Sequence, residues 1–324
     1  MKGLTKTMVV KVVIPVFNPD GKFSALLAAF KQQTIYQDLE LLIINSGATN
    51  WFEKQLDYRH MQVLNISSST FDHGGTRQLG VDYFDTITSG DTVKDGSNST
   101  VGIVVFLTQD AILATNDAIE KLVGAFVDAK VGAAYGRQLP HSNASEVAAH
   151  SRLYNYTDKG YVYSYEDREQ HGIKTAFLSN SFSAYRVAAL RSVGGFPVKT
   201  IFGEDMLVAA TLLKKGWKIA YVSEAQVYHS HNYKVITEFK RAFDTGVFHA
   251  VEPWLLQDFG KAEGEGLRFV KSELAYVCKR SPIKVVDCIV RDGAKLFGYK
   301  LGRAYQRLPK SMITKLSMNK KFWK

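Results

Sequence analysis

The sequence predicts an α/β fold: a mixed, mainly parallel sheet flanked by helices and continued by a helical C-terminal extension. Three observations predict it. Apolar, β-branched runs at Met8 to Pro15, Leu39 to Asn45 and Val101 to Leu107 suit strands buried on both faces. Helix-period stretches alternate with them, which is the pattern of βαβ units. From about Asn232 onward only helical patterns remain.

Met8 to Pro15 is the first strand, Val16 to Gly21 a turn containing Asn18-Pro19, and Lys22 to Gln33 an amphipathic helix. Leu39 to Asn45 completes the unit and stops at Asn45-Ser46-Gly47. A third strand, Met61 to Ile66, leads through three serines to Phe71-Asp72-His73-Gly74-Gly75-Thr76-Arg77 and a helix from about Gln78 to Asp85. After the polar loop Ser89 to Thr100, the strand Val101 to Leu107 delivers Asp110, and Asn116 to Phe126 is the next helix. Val131 to Tyr135 is a strand followed by Gly136-Arg137-Gln138-Leu139-Pro140. His141 to Lys174 is polar and Tyr-rich without strong periodicity and reads as helix and loops covering a site. Arg186 to Val193 and Asp205 to Lys215 are helical, and Ile219 to Val222 is a last strand before Val227-Tyr228-His229-Ser230-His231. Residues 1 to 250 thus form one catalytic domain, and 251 to 324 a basic helical extension.

The formal charge of the 324 residues is +10, and its distribution carries information. Residues 1 to 252 hold 25 Lys/Arg against 25 Asp/Glu, whereas residues 253 to 324 hold 16 against 6. No zinc-finger, RNP or helix-turn-helix pattern accompanies the basic tail, so nucleic acid is not the expected partner. Lys279, Arg280, Lys284, Arg291, Lys295, Arg303 and Arg307 recur near helical spacing among apolar residues, which fits an anionic membrane surface. A solvated helical face or a homodimer contact is the rival reading. The N-terminus lacks a signal-peptide apolar region and no stretch has spanning length, so the expected location is cytoplasmic and peripheral to the membrane's inner face. Cys278 and Cys288 form no metal-spacing motif and read as reduced thiols. The sequons at Asn65, Asn98, Asn143 and Asn155 are then chance matches.

Two acidic sites carry the chemistry. Asp110 follows a buried strand at its carboxyl end, where open α/β sheets bind ligands, and is a candidate metal ligand. Capping of the next helix is the competing role. Glu204-Asp205 follows the glycine-punctuated Gly194 to Gly203 and opens a helix, so a carboxylate there is well placed as a base. Helix-dipole compensation would give the same residues. His229 and His231 are candidates to complete the metal shell; being two apart on a strand-like segment, they are expected to face opposite ways, so that one of them reaches the site. His73-Gly74-Gly75-Thr76-Arg77 offers close backbone approach and a cation for phosphate, or simply a capped helix. No Gly-X-Gly-X-X-Gly follows the first strand, which disfavours a dinucleotide-binding dehydrogenase.

The order of these motifs resembles the inverting nucleotide-sugar glycosyltransferases of family 2, with the Rossmann-like GT-A fold, and especially bacterial rhamnosyltransferases of cell-wall and surface polysaccharide synthesis. The resemblance rests on Val13-Ile14-Pro15-Val16-Phe17-Asn18, Phe71 to Arg77, Phe106-Leu107-Thr108-Gln109-Asp110-Ala111, Tyr135 to Pro140 and Gly203-Glu204-Asp205, and covers roughly residues 8 to 250. It implies that Asp110 ends an Asp-X-Asp-like motif holding Mg²⁺ or Mn²⁺, with Thr108 in place of the first aspartate. Asp205 is then the base, beside Glu204. Donor contacts are expected from Pro15, Phe17, Asn18, Asn45, Asp72, His73, Gly74, Arg77 and Gln109, where Asn45 replaces an aspartate found in many relatives. Acceptor contacts are expected from Asn180, Ser181 and Trp217, although packing is the competing role for Trp217. The implied reaction moves L-rhamnose from dTDP-β-L-rhamnose to a saccharide on a polyprenyl diphosphate, forming an α-linkage. Alternatives are a different hexose donor, or a non-catalytic nucleotide-sugar-binding or scaffolding subunit.

Overall fold

The computed structural model describes residues 9–47, 51–90, 102–260 and 263–323. Nine strands form one mixed sheet: β1 (Val10–Val16), β2 (Leu39–Asn45), β3 (Met61–Asn65), β4 (Ile103–Leu107), β5 (Ile112–Leu113), β6 (Val131–Leu139), β7 (Tyr161–Tyr163), β8 (Phe182–Arg186) and β9 (Lys218–Tyr228). Their order is β3-β2-β1-β4-β8-β6-β9-β5, with β7 also paired to β9. The β3-β2-β1-β4 half is parallel, as is β6 with β9; β8 lies antiparallel between β4 and β6.

The helices are α1 (Gly21–Lys31), α2 (His73–Gly90), α3 (Ala118–Gly124), α4 (Glu146–Asn155), α5 (Arg168–His171), α6 (Val187–Ser192), α7 (Glu204–Lys214), α8 (Val235–Val251), α9 (Pro253–Phe259), α10 (Glu263–Arg280), α11 (Val285–Arg303) and α12 (Lys310–Leu316). Strand alternation sorts the core into two layers. Val12, Ile14, Ile43 and Val105 face α1 and α3 through Phe23, Phe30, Ile119 and Leu122. Val13, Leu42, Val104 and Phe106 face the other side, against Phe84, Leu190, Leu212 and Phe243. Asp20 starts α1 by accepting a hydrogen bond from the Lys22 N–H at 2.9 Å.

Three expectations are corrected. The strand read as Val131 to Tyr135 runs on to Leu139, with a register shift at Gly136 that leaves the strand unbroken. A Cβ on Gly136 would lie 2.3 Å from the Phe182 ring and 2.5 Å from the Ala225 carbonyl. The last strand likewise extends to Lys218–Tyr228, and its two halves serve β7 and β5. The helix expected from Gln78 begins at His73, so the His-Gly-Gly-Thr-Arg residues are helical. Residues 91–100 of the expected polar loop, with Asn98, lie outside the described residues, as do Met8 and Val101 at the ends of two expected strands.

The C-terminal helices pack back on the sheet domain. α11 crosses α8 at close range: Cβ atoms on Gly298 and Gly302 would fall 2.5 and 2.0 Å from the carbonyls of Phe239 and Phe243. Beyond α12, the buried Asp244 carboxylate of α8 accepts the N–H groups of Met318 and Asn319, both at 3.0 Å. The Asn319 amide then donates to the Ile201 carbonyl, just before Glu204. Replacing Gly302 by Val is therefore expected to lower stability by about 1–3 kcal/mol or more through overpacking. Gly293→Ala, on the outer face of α11 with nothing within 4 Å, is expected to raise it by about 0.5–1 kcal/mol. Chemical denaturation of both variants measures the contrast.

Candidate active site

Asp110 sits two residues past Thr108, whose N–H donates to the Ser181 carbonyl at 3.3 Å and so joins the exit of β4 to the entry of β8. The segment after β9 delivers both histidines to this carboxylate. His229 Nε2 lies 3.6 Å from Asp110 Oδ1, and His231 Nε2 lies 3.6 Å from Oδ2. The two Nε2 atoms are 3.1 Å apart. The expectation that only one histidine would reach the site is thus corrected: residues two apart in extended chain share a face.

The tautomer of His229 is fixed from behind. Arg152 of α4 donates to Gln138 Oε1, and a guanidinium cannot accept, so the amide oxygen must face it. That oxygen lies 2.8 Å from His229 Nδ1, which therefore carries the proton and leaves Nε2 with a lone pair toward Asp110. Burial pushes the His229 imidazole down to about 3, keeping it neutral. One carboxylate and two imidazoles, with one ring oriented by an outer hydrogen bond, form a donor set that fits a divalent cation.

Gly203 has φ of +74°, a conformation that favours glycine, and its turn places Glu204 and Asp205 in the first turn of α7. The two carboxyls are driven apart. Glu204 is buried; burial pushes it up, but Arg77 Nη1 donates to Oε1 at 2.8 Å and holds it below the usual range. Asp205 is part-exposed and accepts N–H groups from Asn180 at 3.1 Å and Met206 at 2.9 Å. Burial, then the adjacent Glu204 charge, push its carboxyl up to about 7. A carboxylate tuned near neutrality is suited to general base work.

Hydrogen bonds and one step along the chain, from Ser179 to Asn180, connect His229 to Asp205. Gln138 Nε2 donates to Ser179 Oγ at 3.0 Å, and the next residue, Asn180, holds Asp205. The Arg241 guanidinium lies 5.3 Å from the Phe202 ring and 5.2 Å from the Tyr233 ring, and Tyr233 stacks on His231.

The remaining expected site residues divide. Gln109 clamps Phe17 from both sides, accepting its N–H at 2.8 Å and donating to its carbonyl at 3.1 Å, so Pro15, exposed Phe17, exposed Asn18 and Gln109 share one rim. Asn45 is buried, donating to Asn65 Oδ1 at 2.9 Å and accepting from the Gly47 N–H. Asp72 caps α2 through the Gly75 N–H at 2.7 Å, and Gly74 abuts the Pro197 carbonyl. His73 is exposed at that helix start. Arg77, expected to face phosphate, is instead buried against Glu204. Asn180, expected to touch the acceptor, is buried: its Oδ1 accepts from Ser183 and Tyr185, and its amide donates to Glu204. Ser181 remains part-exposed beside it. Trp217 is corrected most: it follows the far end of α7, which rises about 14 Å from Asp205 to Lys214 at 1.5 Å per residue, and its indole donates to Ser192. Gln138, Arg152 and Ser179 were not singled out; Gln138 stands within the Tyr135 to Pro140 motif, but spacing does not mark a buried amide as a hinge.

The model of the glycosyltransferase like family 2 matches residues 10–244 of the chain. The chain belongs to glycosyltransferase family 2. This transferase is 44% identical over 317 residues to the O-antigen chain rhamnosyltransferase RfbN of Salmonella typhimurium, covering 98% of this chain and 96% of that protein. It is 42% identical to the O-antigen chain rhamnosyltransferase WbaN of Salmonella anatum, covering 96% and 95%. Solved structures share the fold. The mannosyltransferase PcManGT of Pyrobaculum calidifontis, in complex with GDP-Man and Mn²⁺, aligns at TM-score 0.53 and 16% identity, covering 96% of this chain and 86% of that one. S. aureus TarS 1-349 aligns at 0.52 and 14% identity, covering 93% and 91%. The glycosyltransferase therefore has a GT-A-like fold.

Two outcomes follow from this geometry. Gln138→Leu frees the His229 ring and is expected to weaken Mn²⁺ binding about 10–100-fold by titration calorimetry. Arg77→Met strands the Glu204 charge and is expected to cost about 3–5 kcal/mol in urea unfolding.

Proposed function

We propose that this transferase moves L-rhamnose from dTDP-β-L-rhamnose to a saccharide carried on a polyprenyl diphosphate at the cytoplasmic face of the membrane, with inversion to an α-linkage. Support for the sugar comes from the names of the two Salmonella relatives, which match nearly end to end. Support for the chemistry comes from one observation above all: a part-exposed Asp205 raised to about 7, connected through Asn180, Ser179 and Gln138 to His229 of the Asp110, His229 and His231 cluster.

Asp110, His229 and His231 would hold Mg²⁺ or Mn²⁺, and two imidazoles favour Mn²⁺ over the oxygen-preferring Mg²⁺. Such a cation, when bound, neutralises charge on the leaving diphosphate. Arg241, beside the Phe202 ring and the Tyr233 ring that stacks on His231, adds positive charge next to this cluster. Asp205 takes the proton of the acceptor hydroxyl as that oxygen bonds to the anomeric carbon. The bond from that carbon to the diphosphate oxygen breaks, and the nucleoside diphosphate leaves with the electron pair. Glu204 does not compete for the proton, because Arg77 keeps it ionised and buried. The rim of Pro15, Phe17, Asn18 and Gln109 is the side assigned to the nucleotide.

Asp205→Asn is expected to lower kcat by about 10²–10⁴ with donor affinity little changed. Because the base acts ionised, log kcat/KM should climb with pH and level off above an inflection near 7. Near-normal turnover in the variant, or equal use of UDP-glucose and dTDP-β-L-rhamnose by the native protein, would contradict the assignment. Linkage supplies a second readout. A carboxyl raised in the folded state contributes stability at low pH that is lost as pH rises through 7, so the melting temperature of Asp205→Asn relative to native should increase from pH 5 to pH 8.

A further inference from the structure

We propose that the outer face of α11, with the turn joining it to α10, is the surface by which this protein docks on an anionic phospholipid bilayer. Val286, Ile289, Val290, Leu296 and Phe297 are all more than half exposed, and they fall within about 120° of the helix circumference. Ile283, at the tip between the two helices, is 91% exposed. These residues are not a displaced part of the core. The opposite face of α11 is already committed, with Gly298 and Gly302 closed on the α8 backbone and Arg291 Nη1 donating to the Tyr233 carbonyl at 2.7 Å.

Charge selects the occupant. Exposed Lys279, Arg280 and Lys284 surround Ile283 at one end of the stripe, and exposed Lys300 and Arg303 stand at the other. Two acids lie near this face and both are paired, Asp287 with Arg291 at 2.6 Å and Glu146 with Lys284 at 2.7 Å. A second copy meeting this face by two-fold symmetry would oppose like charges at both ends. An anionic lipid surface meets the cations with lipid headgroups and the stripe with acyl chains. No helix among the described residues is long and apolar enough to cross a membrane, so α11 would lie on the surface. Through Arg291 the face is one helix layer from Tyr233 and His231, which suits an acceptor presented at the membrane. That last clause rests on the proposed function; the docking surface itself does not.

Flotation of the full chain with vesicles tests it. Binding is expected to mixed phosphatidylglycerol and phosphatidylcholine vesicles, weakening as salt rises, and to be slight with phosphatidylcholine alone. Ile289→Glu with Phe297→Glu should reduce binding at least about a hundredfold, since each buried large side chain contributes about 1.5–3 kcal/mol. Lys279→Glu with Lys300→Glu should abolish the salt dependence. Circular dichroism and hydrolysis of the nucleotide-sugar donor, which needs no membrane, should stay unchanged in both variants. Vesicle binding unaffected by these changes, no binding by the native chain, or a native dimer that Ile289→Glu with Phe297→Glu converts to monomer would each overturn the docking surface. Loss of donor hydrolysis in the native protein would instead count against the proposed function alone.

Discussion

The side-chain amide of Gln138 is the joint on which the site depends. Its oxygen accepts from Arg152 and from the His229 ring, and its nitrogen donates to Ser179. Each of these bonds fixes something that the chemistry needs: the tautomer of His229, the position of α4, and the turn whose next residue holds Asp205. A buried amide bonded through both its oxygen and its nitrogen is held firmly, so the arrangement has little room to drift. The extension of β6 to Leu139 is what brings Gln138 between β8 and the end of β9.

The acidic pair shows how neighbouring carboxyls acquire different tasks. Glu204 spends its charge on Arg77 inside the protein, and that retained charge is one reason the Asp205 carboxyl rises toward neutrality. The arrangement is held from outside the sheet as well. Asn319, pinned by Asp244, bonds the carbonyl of Ile201, and Lys321 Nζ donates to the Ser68 carbonyl ahead of the Asp72 cap. The C-terminal extension is thereby part of what positions the loop before Glu204 and Asp205, in addition to the cations it exposes.

Much of this was legible in the sequence, for identifiable reasons. Buried parallel strands announce themselves as β-branched runs, and Asp110 and Glu204-Asp205 stand at the abrupt ends of such patterns. The antiparallel β8 was hidden because Phe182 to Arg186 is short and mixed in polarity, and the strand from Val131 was cut short because its apolar run stops at Tyr135, where the strand only shifts register. Side-chain roles were the least legible. Arg77 and Asn180 have the composition of ligand-binding residues, yet both are consumed by internal partners, which only the tertiary fold decides. Trp217 was misplaced because sequence proximity to α7 does not say which end of that helix faces the cleft.

The central claim is that Asp110, His229 and His231 form one divalent-cation site whose geometry is set through Gln138. Pulsed electron paramagnetic resonance of the Mn²⁺-loaded protein, with imidazole nitrogens isotopically labelled, tests it most directly. Nitrogen couplings from two histidines are expected, with one lost in His229→Ala and the other in His231→Ala. Mn²⁺ bound without any histidine nitrogen coupling would contradict the site.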